Sequence, residues 1–133
     1  MDTRGLSPYS PYLQSVLRIV AAFLFIAHGT QKLFAFPASE PRAAVALMSL
    51  LGAAGVVETV GGVLMLLGLF TRPAAFVMAG EMAVAYFRQH APEGPWPILN
   101  GGELAVLYCF VWLFFCAAGP GPWSLDAVMR RRG

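Results

Sequence analysis

Four stretches of this chain are long apolar runs, and each carries an ionisable side chain well inside it: His28 with Lys32, then Glu58, Glu81 and Glu103. Such runs are longer than ordinary strands and read as helices, and the short alternating segments of a transmembrane barrel are missing. Charged residues make up 12% of the chain and apolar ones 58%, against roughly 25% charged in soluble domains. Lipid is therefore the solvent expected for most of the surface. The expected fold is all-α: an integral membrane four-helix bundle, one domain over residues 1–133, with spans at about 12–34, 43–70, 73–89 and 100–118.

The breaks between spans have local causes. Pro37 closes the first run, and a polar loop over 38–42 follows. Thr71 reads as the N-cap of the third helix, with Pro73 in its first turn. Residues 91–97 hold three prolines and a glycine and cannot be helical. The apolar stretch 17–27 lacks a cleavage site after it, so it is expected to remain as a membrane helix and not to be removed as a signal peptide.

Lys and Arg near the span ends set the orientation. Arg4, Arg18, Arg72, Arg130, Arg131 and Arg132 fall on one side; Lys32, Arg42 and Arg88 fall on the other. This excess predicts both termini in the cytoplasm, with the chain in the cytoplasmic (inner) membrane. Trp96 and Trp123 fit the two interfacial belts. The net charge of +2 suits headgroups, and no basic stripe with interleaved aromatics argues for nucleic acid. Cys109 and Cys116, about 10 Å apart on one helix, are too distant to bridge.

A charge at membrane depth costs about 2.5–3.5 kcal/mol on insertion scales, so such residues face a bundle interior. Counted at about 1.5 Å per residue from the cytoplasmic side, Glu81, His28 and Glu58 lie about 13, 15 and 18 Å deep. Lys32, Arg88 and Glu103 come out at about 21–24 Å. Two polar layers are expected: His28 against Glu58 or Glu81, and Lys32 or Arg88 against Glu103 further out. His28, Gln31 and Lys32 share a helix face, and Gly55, Gly61 and Gly62 around Glu58 permit close helix approach. Blander roles compete. Asn100 and Glu103 have capping-box spacing, Lys32 and Arg88 can snorkel to headgroups, and the buried residues can act as a polar staple.

The candidate ligand-binding set is His28, Gln31, Lys32, Glu58, Glu81, Arg88, Asn100 and Glu103; no catalytic residue stands out. Di-iron carboxylate bundles need a Glu-x-x-His repeat, which is missing here, so no metal is expected. A haem between His28 and His90 conflicts with their different depths, His90 being expected at the membrane surface. A quinone or another amphipathic carbonyl compound fits better. His28, Gln31, Lys32 or Arg88 would donate to its head, Glu58 or Glu81 would exchange protons, and Phe23, Phe25, Phe34, Tyr86 and Phe87 would line its apolar part.

The ordered string of features resembles the DoxX family. It runs through HGTQKLF at 28–34, ETVGG at 58–62, LGLFTR at 67–72, EMA at 81–83, WPILNGGE at 96–103, LYC at 107–109 and SLD at 124–126. The resemblance implies four transmembrane helices and an association with quinone-linked or thiol and sulfur redox systems. The chain has no CxxC, so direct thiol exchange is not expected of it. The leading expectation is a non-autonomous membrane subunit of an oxidoreductase, with redox proteins, the bilayer and a homo-oligomer as its candidate partners. The alternative is a non-catalytic scaffold or assembly factor whose buried charges fix helix packing. A proton or small-solute conduit would use the same residues.

Overall fold

The computed structural model describes residues 5–38 and 48–133. Arg4, Arg42 and the expected start of the second span at 43–47 lie outside the described residues. Among the described residues every regular element is helical. Two helices are long and apolar enough to cross a membrane, Ser7–Phe34 and Leu50–Leu67, and Glu103–Ala118 is a shorter apolar helix.

Helix α1 (Ser10–Phe34) opens with a proline in its first turn, where a missing N–H costs nothing. It ends where Ala35 turns left-handed and closes its N–H on the Gln31 carbonyl. The second rod is continuous but not uniform: α2 (Leu50–Val56), a π-helical turn (Val57–Gly61) and α3 (Gly62–Leu67). Ser49 caps it, accepting from the Gly52 N–H at 3.0 Å. It stops at Gly68, before the expected end at Phe70, because Gly68 adopts φ +67°. A Cβ there would also lie 3.0 Å from Ser124 Cα.

Helix α4 (Thr71–Ala85) begins earlier than expected, and Thr71 is its first residue and not its cap. The cap comes from far away in sequence: Asp126 accepts from the Phe70 and Thr71 N–H groups at 2.9 and 3.0 Å. A second π-helical turn (Tyr86–His90) and a 3-10 turn (Ala91–Glu93) follow α4. Residues 91–97, expected to be non-helical, hold that 3-10 turn, and Pro97 opens the single turn α5 (Pro97–Asn100), which Gly101 breaks at φ +76° just past the expected start of the last span at Asn100. Helix α6 (Glu103–Ala118) therefore starts at Glu103, and the short α7 (Leu125–Arg132) closes the chain, capped by Ser124.

Helix α1 lies along the second rod and α4 along α6, with α4 also meeting the first π turn and α3. Phe25, Met65, Met78, Trp112 and Phe115 fill the core between them. Glycines set the closest approach. A Cβ on Gly29 of α1 would fall 2.6 Å from the Thr59 nitrogen and 2.9 Å from the Gly55 carbonyl oxygen, so no larger residue lets the two backbones meet there.

Arg18 does more than mark an interface. It is fully buried and donates to the Met65 carbonyl at 2.7 Å, the Trp123 carbonyl at 2.6 Å and the Pro120 carbonyl. Met65 lies in the last turn of α3, where unpaired carbonyls and the helix dipole favour a cation. Arg72, in the corresponding place on the third helix, likewise donates to the Cys116 and Ala117 carbonyls at the end of α6.

Candidate functional site: a charged cavity among the helices

All four long helical segments contribute to one cavity of about 290 Å³. Helix α1 supplies Phe25, His28 and Lys32; the second rod supplies Ala54 and Glu58; α4 and its π turn supply Glu81, Met82, Gln89 and His90; α6 supplies Leu104 and Tyr108. The polar side chains lie toward one end of the bundle. Beneath them is an aromatic floor. Phe25 meets Tyr108 and Trp112 edge-on at 5.0 and 5.3 Å, Tyr108 stacks on Trp112 at 5.8 Å, and His28 meets Tyr108 edge-on at 6.2 Å.

The central contact is between Lys32 and Glu58. The Lys32 ammonium sits 2.7 Å from Oε1 and 2.6 Å from Oε2 of Glu58. Glu58 is 1% exposed, while the Lys32 side chain is 22% exposed. Gly55 makes the approach feasible, since a Cβ there would come within 3.0 Å of the Lys32 Cβ. Glu58 lies in the first π turn, where the wider i→i+5 ring changes side-chain phase relative to an α-helix. Across the cavity, Glu81 comes within hydrogen-bond range of the Glu58 carboxyl and lies in the field of Lys32. Its Oε2 is buried without a hydrogen-bond partner among the described residues. One ammonium thus faces two carboxyl groups, with His28 on the same wall.

The cavity has a roof. The Asn100 amide donates to the Tyr86 hydroxyl at 3.2 Å and the Gly94 carbonyl at 3.0 Å, and its oxygen accepts from the Gly102 N–H at 2.9 Å. The Asn100 carbonyl lies 3.1 Å from His90 Nδ1. Together these bonds tie the 91–102 loop onto the second π turn.

Four of the residues singled out in the sequence, His28, Lys32, Glu58 and Glu81, line this cavity together. The others do not. Gln31 donates to the Pro37 carbonyl at 3.0 Å. Arg88 is exposed and lines a neighbouring groove. Asn100 holds the roof, so the expected capping box with Glu103 is replaced by an Asn100 bond to Gly102. Glu103 is exposed and off the cavity. The expected outer pairing of Lys32 or Arg88 with Glu103 is corrected as well: Lys32 turns inward to Glu58.

Of the aromatics expected to line the site only Phe25 does. Phe23, Phe34 and Phe87 are 67%, 67% and 70% exposed, and Tyr86 supports the roof. His90 is half-buried under the roof and lines the cavity. Tyr108 and Gln89 were missed. Tyr108 had a legible signal as a hydroxyl-bearing aromatic inside the last apolar run, five residues after Glu103.

The class these features define is a helical membrane protein with a charged cavity among its helices. More narrowly, the DoxX family profile matches residues 13–91, and the chain belongs to the DoxX family. An uncharacterized protein of Haemophilus influenzae is 49% identical over 126 residues, covering 92% of this chain and 94% of its own length. An uncharacterized membrane protein of Mycobacterium tuberculosis is 30% identical over 132 residues, covering 87% of this chain and 80% of its own. No solved structure matches the chain.

Proposed function

We propose that this protein is a transmembrane four-helix subunit of a redox system that binds a quinone-like carbonyl compound in the cavity, in the outer half of the bundle, with both termini cytoplasmic. The observation that carries the reading is the Lys32 ammonium fixed on Glu58 at 2.6 and 2.7 Å, at the wall of a cavity with an aromatic floor. Small-molecule sites are mostly apolar concavities with a few convergent polar groups, and this cavity has that make-up. Lys32 and His28 donate to a carbonyl oxygen of the head. Glu81, with an unpartnered oxygen, exchanges the proton that reduction or oxidation of the head requires. Phe25 and Tyr108 pack on the ring. Electrons pass to and from a partner redox protein.

The experiment is binding of a tail-less benzoquinone to the purified protein, read by quenching of Trp112 in the floor in a chain whose Trp96 and Trp123 are replaced by phenylalanine. Lys32→Met and Glu81→Gln should weaken binding, and Gly80→Ala, on a surface with nothing within 4 Å, should not. No binding to the unaltered protein, or equal binding by all three variants, would refute the reading. Orientation is checked separately. A cysteine at position 94 in a chain lacking Cys109 and Cys116 should react with an impermeant reagent from outside the cell, and reaction from the cytoplasmic side alone would reverse the topology.

A scaffold or assembly role has one observation in its favour, since Lys32 and Glu58 satisfy one another without a ligand. In that case the same variants lose stability and the unaltered protein binds no quinone.

A further inference from the structure

A second concavity, about 470 Å³, lies between α2 and the end of α4, lined by Leu50, Leu51, Val57, Val84 and Arg88 among others. It shares Ala54, Glu81, Ala85 and Gln89 with the charged cavity. The two spaces thus adjoin along these four residues, two of them alanines. The geometry has a cause in the packing. Helix α4 rests on the first π turn and α3 and makes little contact with α2, which leaves the groove between α2 and the end of α4. The groove faces outward, since Leu50 and Val84 are 56% and 52% exposed. On another side the charged cavity is lined by His90 and Gly101, which the Asn100 bonds hold in place.

We infer that this groove holds the hydrocarbon tail of the ligand whose carbonyl head occupies the charged cavity, and that the ligand passes between lipid and site sideways, past Ala54 and Ala85, the two small residues that line both spaces. The inference rests on the proposed head-group reading and adds the tail to it. Adjacency of the two spaces selects the occupant, because Glu81 lines both, and a chain attached to a head beside it meets Leu51, Val57 and Val84 in the groove next door. The lining, aliphatic apart from Glu81, Arg88 and Gln89, suits a saturated or isoprenoid chain. Such a chain gains little by leaving lipid for an apolar groove, so the groove governs access and fit more than intrinsic affinity.

The test uses two probes on the full chain in detergent: a tail-less dimethoxybenzoquinone and a decyl-tailed benzoquinone carrying a diazirine at the end of its chain. Leu51→Trp and Val84→Trp fill the groove from its lipid side without reaching the head cavity, and both positions are already exposed and apolar. Expected is weakening of the tailed probe by about tenfold or more, the scale of a steric overlap in a packed site. The tail-less probe should bind both variants as it binds the unaltered protein. Photolysis should label peptides spanning 50–57 and 84–89, and the tail-less compound should compete the label away.

If the tail-less probe does not bind the unaltered protein, the head-group reading fails. If it binds, but both tryptophan variants keep the tailed probe or the label falls elsewhere, the groove inference fails while the head-group reading stands. Groove labelling that the tail-less probe cannot compete would mark a site for lipid chains in general and would also overturn the inference.

Discussion

The ammonium of Lys32 bridges both carboxylate oxygens of Glu58, joining α1 to the second rod at a wall of the cavity. Glu58 is almost wholly buried, so its charge depends on that partner. Breaking a buried pair from one side typically costs about 3–5 kcal/mol, whereas removing both charges is often close to neutral. Lys32→Met should therefore destabilise the protein, toward the lower end of that range because Lys32 keeps some exposure. Adding Glu58→Gln should restore much of the loss. Thermal unfolding in detergent checks this, and a double variant no more stable than Lys32→Met would mean that the pair is not the stabilising contact.

Two glycines on exposed and packed helix faces make a contrast. Gly29→Ala would place its methyl 2.6 Å from a backbone nitrogen of the neighbouring helix, an overlap that neither backbone can relieve cheaply, so a loss of about 1–3 kcal/mol is expected. Gly80→Ala meets nothing within 4 Å and should be neutral or stabilising, since alanine has less freedom to lose on folding. The pair of melting temperatures decides it. Equal effects at both positions would refute the close α1–second-rod contact.

The positions of the helices were legible because run length, proline and glycine act locally. Gly68 and Gly101 moved the boundaries by a few residues through left-handed conformations, which is also a local effect. The pairing inside the site was harder to read. Counting depth at a fixed rise treats each residue as a point on a uniform α-helix, but Glu58 sits in a π turn and Lys32 carries its charge at the end of a long flexible stem. Lys32 therefore met Glu58 although the count put them in different layers. The Asp126 cap was hidden for another reason: Thr71 offered a local capping signal, while the real acceptor lies 55 residues away. The Asn100 roof was hidden in the same manner, since its partners Tyr86 and Gly94 meet it only once the loop has folded back.

Asp126 gives a pH dependence with a definite sign. Partial burial works to raise its pKa, but the N–H groups of Thr71 and Phe70 and the nearby Arg130 outweigh this and hold the carboxyl below its ordinary value. A depressed folded-state pKa contributes stability that is fully present above the unfolded value of about 3.9 and is lost as pH falls through the folded value. Asp126→Asn should accordingly lower stability by roughly 1 kcal/mol at neutral pH, the scale of a lost helix cap. The gap between the two proteins should stay constant down to about pH 4 and close below it. Melting curves from neutral to acid pH provide the measurement, and a gap that widens in acid would contradict the capping role.

Asn100 offers a test of the roof that is independent of any ligand. It is 6% exposed, and its side chain satisfies the Gly102 N–H and the Gly94 carbonyl while holding Tyr86. Asn100→Leu keeps comparable bulk but orphans those two backbone groups, each buried polar group left unpaired costing about 1–3 kcal/mol. The loss should be local, because the bonds involved lie within the 86–102 segment and none of them reaches Phe25, Tyr108 or Trp112. Limited proteolysis should therefore cut the 91–102 loop faster in Asn100→Leu, while Trp112 fluorescence, read with Trp96 and Trp123 replaced by phenylalanine, stays unchanged. Cleavage at the unaltered rate would show that the loop is held by other contacts, and a shifted Trp112 signal would show that the roof and the floor do not respond separately.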